Sequence, residues 1–369
     1  MINIKFIDFF SGAGMFRKGM ELAGHKCIGY VEIDKFARKT YETNYNITNE
    51  WTSWDINKVP SLTIPSSDIW CFGFPCKNMS VANSISRTGL QGAQSGLFVK
   101  MCDLLSQISV KPTYLFIENV KGFTTIHGGK DFLWALCRLH SLGYDIKYEV
   151  SSALNYNVPQ NRIRTYLVCQ FNKNLLLEKG NDIPNKKYIN ISGINIQKLY
   201  EYSINKDIKI NFNKSGNIHN GICLSNSNNI HNNKTLITLK DILEDNVDTS
   251  LYLNEQQINK IKIMKGAKTK ILKDGRIWKE GSVPFPDDIY KNARCITPSD
   301  GSLNRSTHII YDKKGYRKLS IRERARLQGL PDDFIFPVSN SQASLQLGNG
   351  VVVNVIKEIA KREMKLISD

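Results

Sequence analysis

No two cysteines in this chain form a C-x-x-C pair. The eight stand singly at Cys27, Cys71, Cys76, Cys102, Cys137, Cys169, Cys223 and Cys295, which argues against a zinc knuckle or a disulfide framework and for a reducing compartment. No apolar run approaches the roughly 20 residues of a membrane span. The first residues lead directly into an apparent strand containing Asp8, so neither a signal peptide nor a transmembrane helix is expected and the chain reads as a soluble intracellular protein. Internal repeats are absent, which sets solenoids aside. Acidic residues are scarce: 34 Asp and Glu face 50 Lys and Arg, for a formal net charge of +16. That imbalance suits a polyanionic partner, nucleic acid first, because cations gain free energy by displacing counterions from phosphates. A Lys-rich composition from an AT-rich genome would give the same charge.

What is present is enough for a large core. With 369 residues and 41% hydrophobic content, the chain can bury one main core and carry a second, smaller unit. From residue 4 to about 171, short apolar runs (IKFIDFF, CIGYVEI, DIWCFGF, YLFIENV, YEVSSA, TYLVCQF) alternate with longer helical patterns. Alternation of this kind predicts a mostly parallel sheet with helices on both faces, whose ligands bind at the carboxyl ends of the strands. It stops over 172–318, where an Asn- and Ser-rich passage at 211–234 reads as exposed loop and a separate lobe is expected. Between 260 and 279 lie Lys262, Lys265, Lys268, Lys270, Lys273 and Arg276, which would suit a phosphate-facing surface or a solvated helix face. Further on, LSIRERARLQGLPDDF reads as a capped helix, and LGNGVVVNVIKEIAKREM as a turn and a closing helix that returns to the first lobe.

Four places carry candidate chemistry. The turn Ser11-Gly12-Ala13-Gly14 after the first strand lets backbone approach a ligand, and Glu32 ends the next strand at the spacing that reaches a ribose. It is not G-x-G-x-x-G, because the third glycine is Gly19; a plain tight turn would read the same. Gly73-Phe74-Pro75-Cys76 ends an apolar strand and puts a thiol at the ligand edge, with Lys77 beside it to favour the thiolate, although most lone cysteines are core residues. Glu118-Asn119-Val120 ends another strand, where apolar walls would raise the carboxyl's pKa. Arg162 and Arg164, in Gln160-Asn161-Arg162-Ile163-Arg164, are expected on one side of the following strand, two guanidinium forks aimed at one place. His219, Cys223 and His231 match no metal-ligand spacing, and the chemistry below calls for no metal.

Taken in order, FFSGAG, GFPC, ENV, QNRIR, RERARLQGLPDDF and LGNGV resemble the DNA (cytosine-5) methyltransferase family of bacterial and phage type. The resemblance covers most of the chain outside 172–318. It implies a Rossmann-like S-adenosylmethionine-dependent methyltransferase domain formed by 1–175 and 340–369, a smaller variable target recognition domain at 176–318, and a hinge and helix segment at 319–339. It implies S-adenosyl-L-methionine as cofactor, held by Phe10, Ala13 and Gly14 at the methionine side, Glu32 and Ile33 at ribose and adenine, and Asp55 and Ile56 at the adenine edge. Pro75, Leu97, Asn349 and Val351 would complete that pocket.

The implied reaction transfers a methyl group to carbon 5 of a cytosine flipped out of double-stranded DNA. Cys76 would add to carbon 6, Glu118 would bond ring nitrogen 3, Arg164 would hold the carbonyl oxygen, and Arg162 would brace Glu118 and the thiolate. Ser80, Arg87 and Arg294 are the expected DNA contacts, and 79–96 fits a closing lid. Only Ala293-Arg294-Cys295-Ile296 resembles a family element within the variable stretch. The expected setting is a cytoplasmic monomer of a bacterial cell or phage-infected host, at the nucleoid when on DNA, beside a restriction endonuclease that acts separately. The chain departs from the family pattern in Lys77 for the usual Gln, in Gly350 for Ala or Ser, and in lacking a basic residue before Leu97-Phe98. Lys77 is the feature that would favour a non-catalytic DNA- and cofactor-binding relative. An RNA cytosine methyltransferase of the same fold would carry a Cys-Phe-Thr signature, which is absent.

Overall fold

The computed structural model describes residues 4–74, 96–172, 188–190, 210–226, 236–271, 275 and 277–364. Apolar runs of the first half form strands, and the amphipathic runs between them form helices. In chain order they are β1 (Lys5–Phe9), α1 (Met15–Leu22), β2 (Lys26–Val31), α2 (Lys35–Asn44), β3 (Trp51–Ser53), β4 (Ile69–Gly73), α3 (Gly96–Gln107), β5 (Tyr114–Val120), α4 (Lys130–Ser141), β6 (Tyr144–Ser152) and β7 (Ile163–Phe171). Their sheet order is β3-β2-β1-β4-β5-β7-β6. Strands β1 to β5 pair in parallel. Strand β7 runs antiparallel to both β5 and β6, so β6 keeps the direction of the first five. The sheet is therefore mostly parallel, as the alternation predicts, and only β7 is reversed within this part.

Side-chain alternation along β1 sends Phe6 to one core layer and Ile7 and Phe9 to the other. The Ile7 layer is closed by Phe98, Met101, Leu104 and Leu105 of α3 and by Phe132, Leu133, Leu136 and Leu139 of α4. The Phe6 layer is closed by Met15, Phe16 and Met20 of α1 and by a helix from the far end of the chain. Helix α2 begins cleanly because the Asp34 carboxylate accepts from the N–H groups of Phe36 and Ala37, both at 2.8 Å.

Strands β8 (Tyr188–Asn190), β9 (Ser215–His219) and β10 (Ile222–Asn226) extend the same sheet beyond β6, in the order β6-β9-β10-β8. The passage at 211–234, expected as exposed loop, thus contains a hairpin in its described part. Asn220 and Gly221 both take positive φ, 46° and 74°, the turn geometry that an Asn-Gly pair favours between two strands. Within the hairpin Cys223 is buried, and His219 places a ring nitrogen 2.8 Å from Asp145; His231 lies outside the described residues.

The remaining elements are α5 (Glu255–Lys265), the hairpins β11 (Lys268–Ile271) with β12 (Ile277–Glu280) and β13 (Ile309–Asp312) with β14 (Gly315–Lys318), then α6 (Ile321–Leu327), α7 (Asn340–Asn349) and α8 (Val353–Glu363). Lys265, expected on a phosphate-facing surface, is buried. It donates to the Pro284 carbonyl at 2.9 Å and lies 3.4 Å from Asp287. Helix α6 is capped as expected, Ser320 accepting from Glu323 N–H while Glu323 accepts from Ser320 N–H. The Leu-Gly-Asn expected as a turn instead ends α7. Helix α8 packs on α1, burying Val353, Val355, Ile356 and Ile359, each worth roughly 1.5–3 kcal/mol of transfer free energy. It comes this close because Gly19 faces it: a Cβ there would lie 2.6 Å from Ile356 Cβ.

Candidate active site

Two stretches of the sheet's carboxyl edge gather the candidate residues. At the first, β1 runs into a loop in which Phe10, Gly12 and Gly14 have φ of 55°, 56° and 84°. Gly14 must be glycine here, because its φ is left-handed and a Cβ would collide with the Tyr45 ring. The loop is tied to the end of β2 by Ser11 N–H donating to the Val31 carbonyl at 3.1 Å. Gly12 N–H donates to Glu32 at 2.8 Å, and the other Glu32 oxygen accepts from Asp34 N–H at 2.8 Å. Burial pushes the Glu32 carboxyl up, and those two N–H groups pull part of the shift back. A Cβ on Gly12 would meet nothing within 4 Å, so space above the loop is open.

Beside this loop lies a cleft of about 540 Å³ lined by Ile33, Arg38, Thr52, Ser53, Trp54, Asp55 and Lys58. Asp55 accepts from Asn57 N–H at 3.0 Å and stays partly exposed, whereas the Ile56 side chain is in the core. Ala13 and Val351 are buried, Phe10 and Leu97 are half-buried, and Asn349 is exposed at the end of α7. Gly350, noted as a departure, has no room for a side chain because Met15 Sδ fills that space.

Asp8 lies below the same loop. Neither carboxylate oxygen closes a hydrogen bond, although the Arg17 guanidinium and backbone N–H favour its charged form. Burial outweighs them and pushes the carboxyl up to about 8.

At the second stretch, β4 and β5 place Gly73 opposite Glu118. Asn119 donates from Nδ2 to the Phe74 carbonyl at 3.2 Å, fixing the last described residue before Pro75 and Cys76. Pro75, Cys76, Lys77, Ser80, Arg87 and most of 79–96 lie outside the described residues. Glu118 is buried, and its Oε1 sits 3.1 Å from Arg164 Nε. The antiparallel register pairs Val120 with Arg164, so the guanidinium reaches diagonally back to the carboxylate. Burial pushes the Glu118 carboxyl up; Arg164 and then Arg162 oppose that without cancelling it.

Arg162 and Arg164 both bear on the Glu118 charge, but their direct contacts differ. Arg162 immediately precedes β7. Its buried guanidinium donates to the carbonyls of Gly348 at 3.1 Å, Gly350 at 2.6 Å and Ile296 at 3.3 Å, and to Cys295 Sγ at 3.4 Å. It ties the C-terminal segment to Cys295 and Ile296, and among the described residues it is Arg164 that forms the ion pair with Glu118. Gln160 and Gln328, to which the sequence assigns no role, join this clamp. Gln160 accepts from Ile296 N–H at 3.0 Å and donates to the Leu327 carbonyl at 2.6 Å, and Gln328 donates to the carbonyls of Leu347 and Gly350. Their signal was their place inside QNRIR and RLQGL. Arg294, expected at DNA, is committed internally: it pairs with both oxygens of Asp287 at 2.9 and 3.1 Å and donates to the Ser306 carbonyl at 2.9 Å.

A Gly-bearing first turn tied to an acid after the second strand, with an open cleft beside it, defines an S-adenosylmethionine-dependent methyltransferase class when the family comparison is added. The family of C-5 cytosine-specific DNA methylases matches residues 4–365, and the chain belongs to that family. It is 28% identical over 360 residues to the Type II methyltransferase M.HhaI of Haemophilus parahaemolyticus, covering 98% of this chain and 94% of the relative. It is 30% identical over 364 residues to the Type II methyltransferase M.SsoII of Shigella sonnei, covering 97% of this chain and 79% of the relative. Among solved structures, the Entamoeba histolytica methyltransferase EhMeth superposes with a TM-score of 0.65 at 19% identity, covering 98% of both chains. S. pombe Dnmt2 does so with a TM-score of 0.65 at 17% identity, again covering 98% of both. These two likenesses establish the fold. The protein is a DNA cytosine-5 methyltransferase that uses S-adenosyl-L-methionine, and DNA is its substrate. No helix among the described residues is long and apolar enough to cross a membrane.

Proposed function

We propose that this enzyme methylates carbon 5 of one flipped cytosine within a short specific DNA sequence through a covalent adduct on Cys76. The observation that carries this reading is the buried Glu118–Arg164 pair, facing Gly73 at the strand edge from which the chain enters Pro75-Cys76. Cytosine carbon 5 is a poor nucleophile, so addition of the Cys76 thiolate to carbon 6 is needed to make the ring an enamine. Glu118, whose burial favours its protonated form, donates to ring nitrogen 3 and stabilises the charge that develops there. Arg164 orients that carboxyl and lies within reach of the base's carbonyl oxygen. Arg162 works at a remove, holding the segment that carries Asn349 and Val351 against the site.

When bound, S-adenosyl-L-methionine supplies an electrophilic methyl group on a sulfonium. The residues fit it: the open glycine loop with Phe10, Ala13 and Gly14 would hold the methionine side, Glu32 the ribose, and Ile33, Asp55 and Ile56 the adenine, with Pro75, Leu97, Asn349 and Val351 closing the pocket. Ser80 and Arg87 are the proposed phosphate contacts.

The division we infer is 1–175 with 340–369 as catalytic domain, 176–318 as target recognition domain and 319–339 as hinge; the packing of α8 on α1 supports the discontinuous catalytic domain. The Type II names of the relatives support a restriction-modification role with a separate endonuclease. A monomer in the cytoplasm, at the nucleoid when on DNA, fits that role. Base-resolution mapping of 5-methylcytosine in cells expressing the wild type and Cys76→Ala tests the proposal. Methylation at one short motif, lost in the variant, is expected; equal methylation by the variant overturns the mechanism.

A further inference from the structure

Trp54 follows β3 by one residue, and its side chain is 66% exposed. An exposed indole leaves a large apolar face unburied, yet this ring is held in place. The Arg38 guanidinium lies over it, 4.6 Å from the ring centroid. That guanidinium is itself fixed by donating to the carbonyls of Glu32 at 2.9 Å and Ile33 at 2.8 Å. The indole is therefore tied through Arg38 to the segment that presents the Glu32 carboxylate. Ile33, 68% exposed, lines the same cleft, together with the polar Thr52, Ser53 and Asp55.

A flat π surface backed by a cation, an aliphatic side chain in the same cleft and a carboxylate one residue away together suit a planar nitrogen heterocycle that carries an amino group. We propose that Trp54 is the stacking wall for the adenine of S-adenosyl-L-methionine, with Ile33 as the second apolar surface and Arg38 as the residue that positions the indole. This rests on the reading of Glu32 and Asp55 as the nucleoside end of the cofactor site. The cleft's wall then comes from the turn after β3 and not only from the residue following Glu32, which in this chain is aliphatic.

The test is binding of S-adenosylhomocysteine and of adenosine to the full chain without DNA, followed by calorimetry and tryptophan fluorescence. In the wild type both ligands should change the indole emission. Trp54→Phe should lose most of that change while keeping affinity within about threefold, because a ring still stacks. Trp54→Ala should weaken both ligands by about tenfold or more, in the range of a base–aromatic stack, with an unliganded melting temperature like that of the wild type. Trp54→Ala binding both ligands within twofold of the wild type, while Glu32→Ala loses them, overturns the role of Trp54 and leaves the site reading standing. Wild-type affinity in Glu32→Ala overturns the site reading itself. If Trp54→Ala binds the cofactor product normally but loses DNA, the indole is a nucleic-acid contact and the proposal is wrong.

Discussion

Two carboxylates, Glu32 after β2 and Glu118 near the end of β5, sit along the same sheet edge and are held by different means. Backbone N–H groups of Gly12 and Asp34 hold Glu32, so its position depends on the loop fold and on no other side chain. One guanidinium, that of Arg164, holds Glu118. Burial pushes both carboxyls up, but only the second has a partner that can be removed by a single substitution. A main-chain cradle fixes an acceptor for hydroxyl groups, whereas a carboxyl whose partner among the described residues is a guanidinium side chain can still gain and release a proton. On the proposed reading, the cofactor end is thus suited to static binding and the base end to proton traffic.

Breaking the base end should cost most. Glu118→Gln is expected to lower kcat by about 10²–10³, the scale of one lost preorganised charge-stabilising group, while S-adenosylhomocysteine affinity stays at the wild-type level; an equal loss in both would erase the distinction between the two ends.

The two arginines should separate next. Arg162→Ala takes the guanidinium donor from the buried carbonyls of Gly348, Gly350 and Ile296, of which Gly350 keeps only Gln328 among the described residues, and should lose about 3 kcal/mol of stability in denaturant melts. Arg164→Ala leaves a buried carboxyl that can take up a proton, so it should lose less stability than Arg162→Ala but remain slow. Because Arg164 holds the Glu118 carboxyl down, its removal raises that carboxyl further, so the pH–rate limb that reports loss of the Glu118 proton should move to higher pH.

At the cofactor end, Glu32→Ala should weaken S-adenosylhomocysteine by about ten- to a hundredfold, as for a lost hydrogen bond to a charged group, and leave kcat near normal at saturating cofactor.

Asp8→Asn should change activity least and report on stability. The folded Asp8 titrates at about 8 against an ordinary 3.8. Between those values only the folded state keeps the proton, so this group's contribution fades as pH rises toward 8. Melting temperatures from pH 5 to 8.5 should fall more steeply for the wild type than for Asp8→Asn; parallel curves would refute the unpaired buried carboxyl.

The alternation of IKFIDFF, CIGYVEI, DIWCFGF and YLFIENV with helical runs was enough to predict a mostly parallel sheet covered by helices, though not its strand order, because a buried parallel strand and its crossover helix each leave a periodic trace. The direction of β7 left none: reversal changes hydrogen bonding, not composition. The hairpin at Asn220-Gly221 was masked by the polar residues around it, although its turn pair was a readable signal. Glu118 could be placed from the end of its strand. The different contacts of Arg162 and Arg164 could not, since they depend on the distant segments at 295–296 and 348–350 that fold against Arg162. Nor could the Gln160 and Gln328 clamp, which joins segments more than 160 residues apart.

The central claim concerns Cys76, and DNA carrying 5-fluorocytosine at the target tests it most directly. Fluorine cannot leave carbon 5 as a proton does, so with S-adenosyl-L-methionine present the wild type should form a denaturation-resistant adduct that peptide mapping places on Cys76, and Cys76→Ala should form none. A wild type that methylates ordinary DNA at that site yet yields no adduct, or an adduct mapped to another residue, would contradict the account.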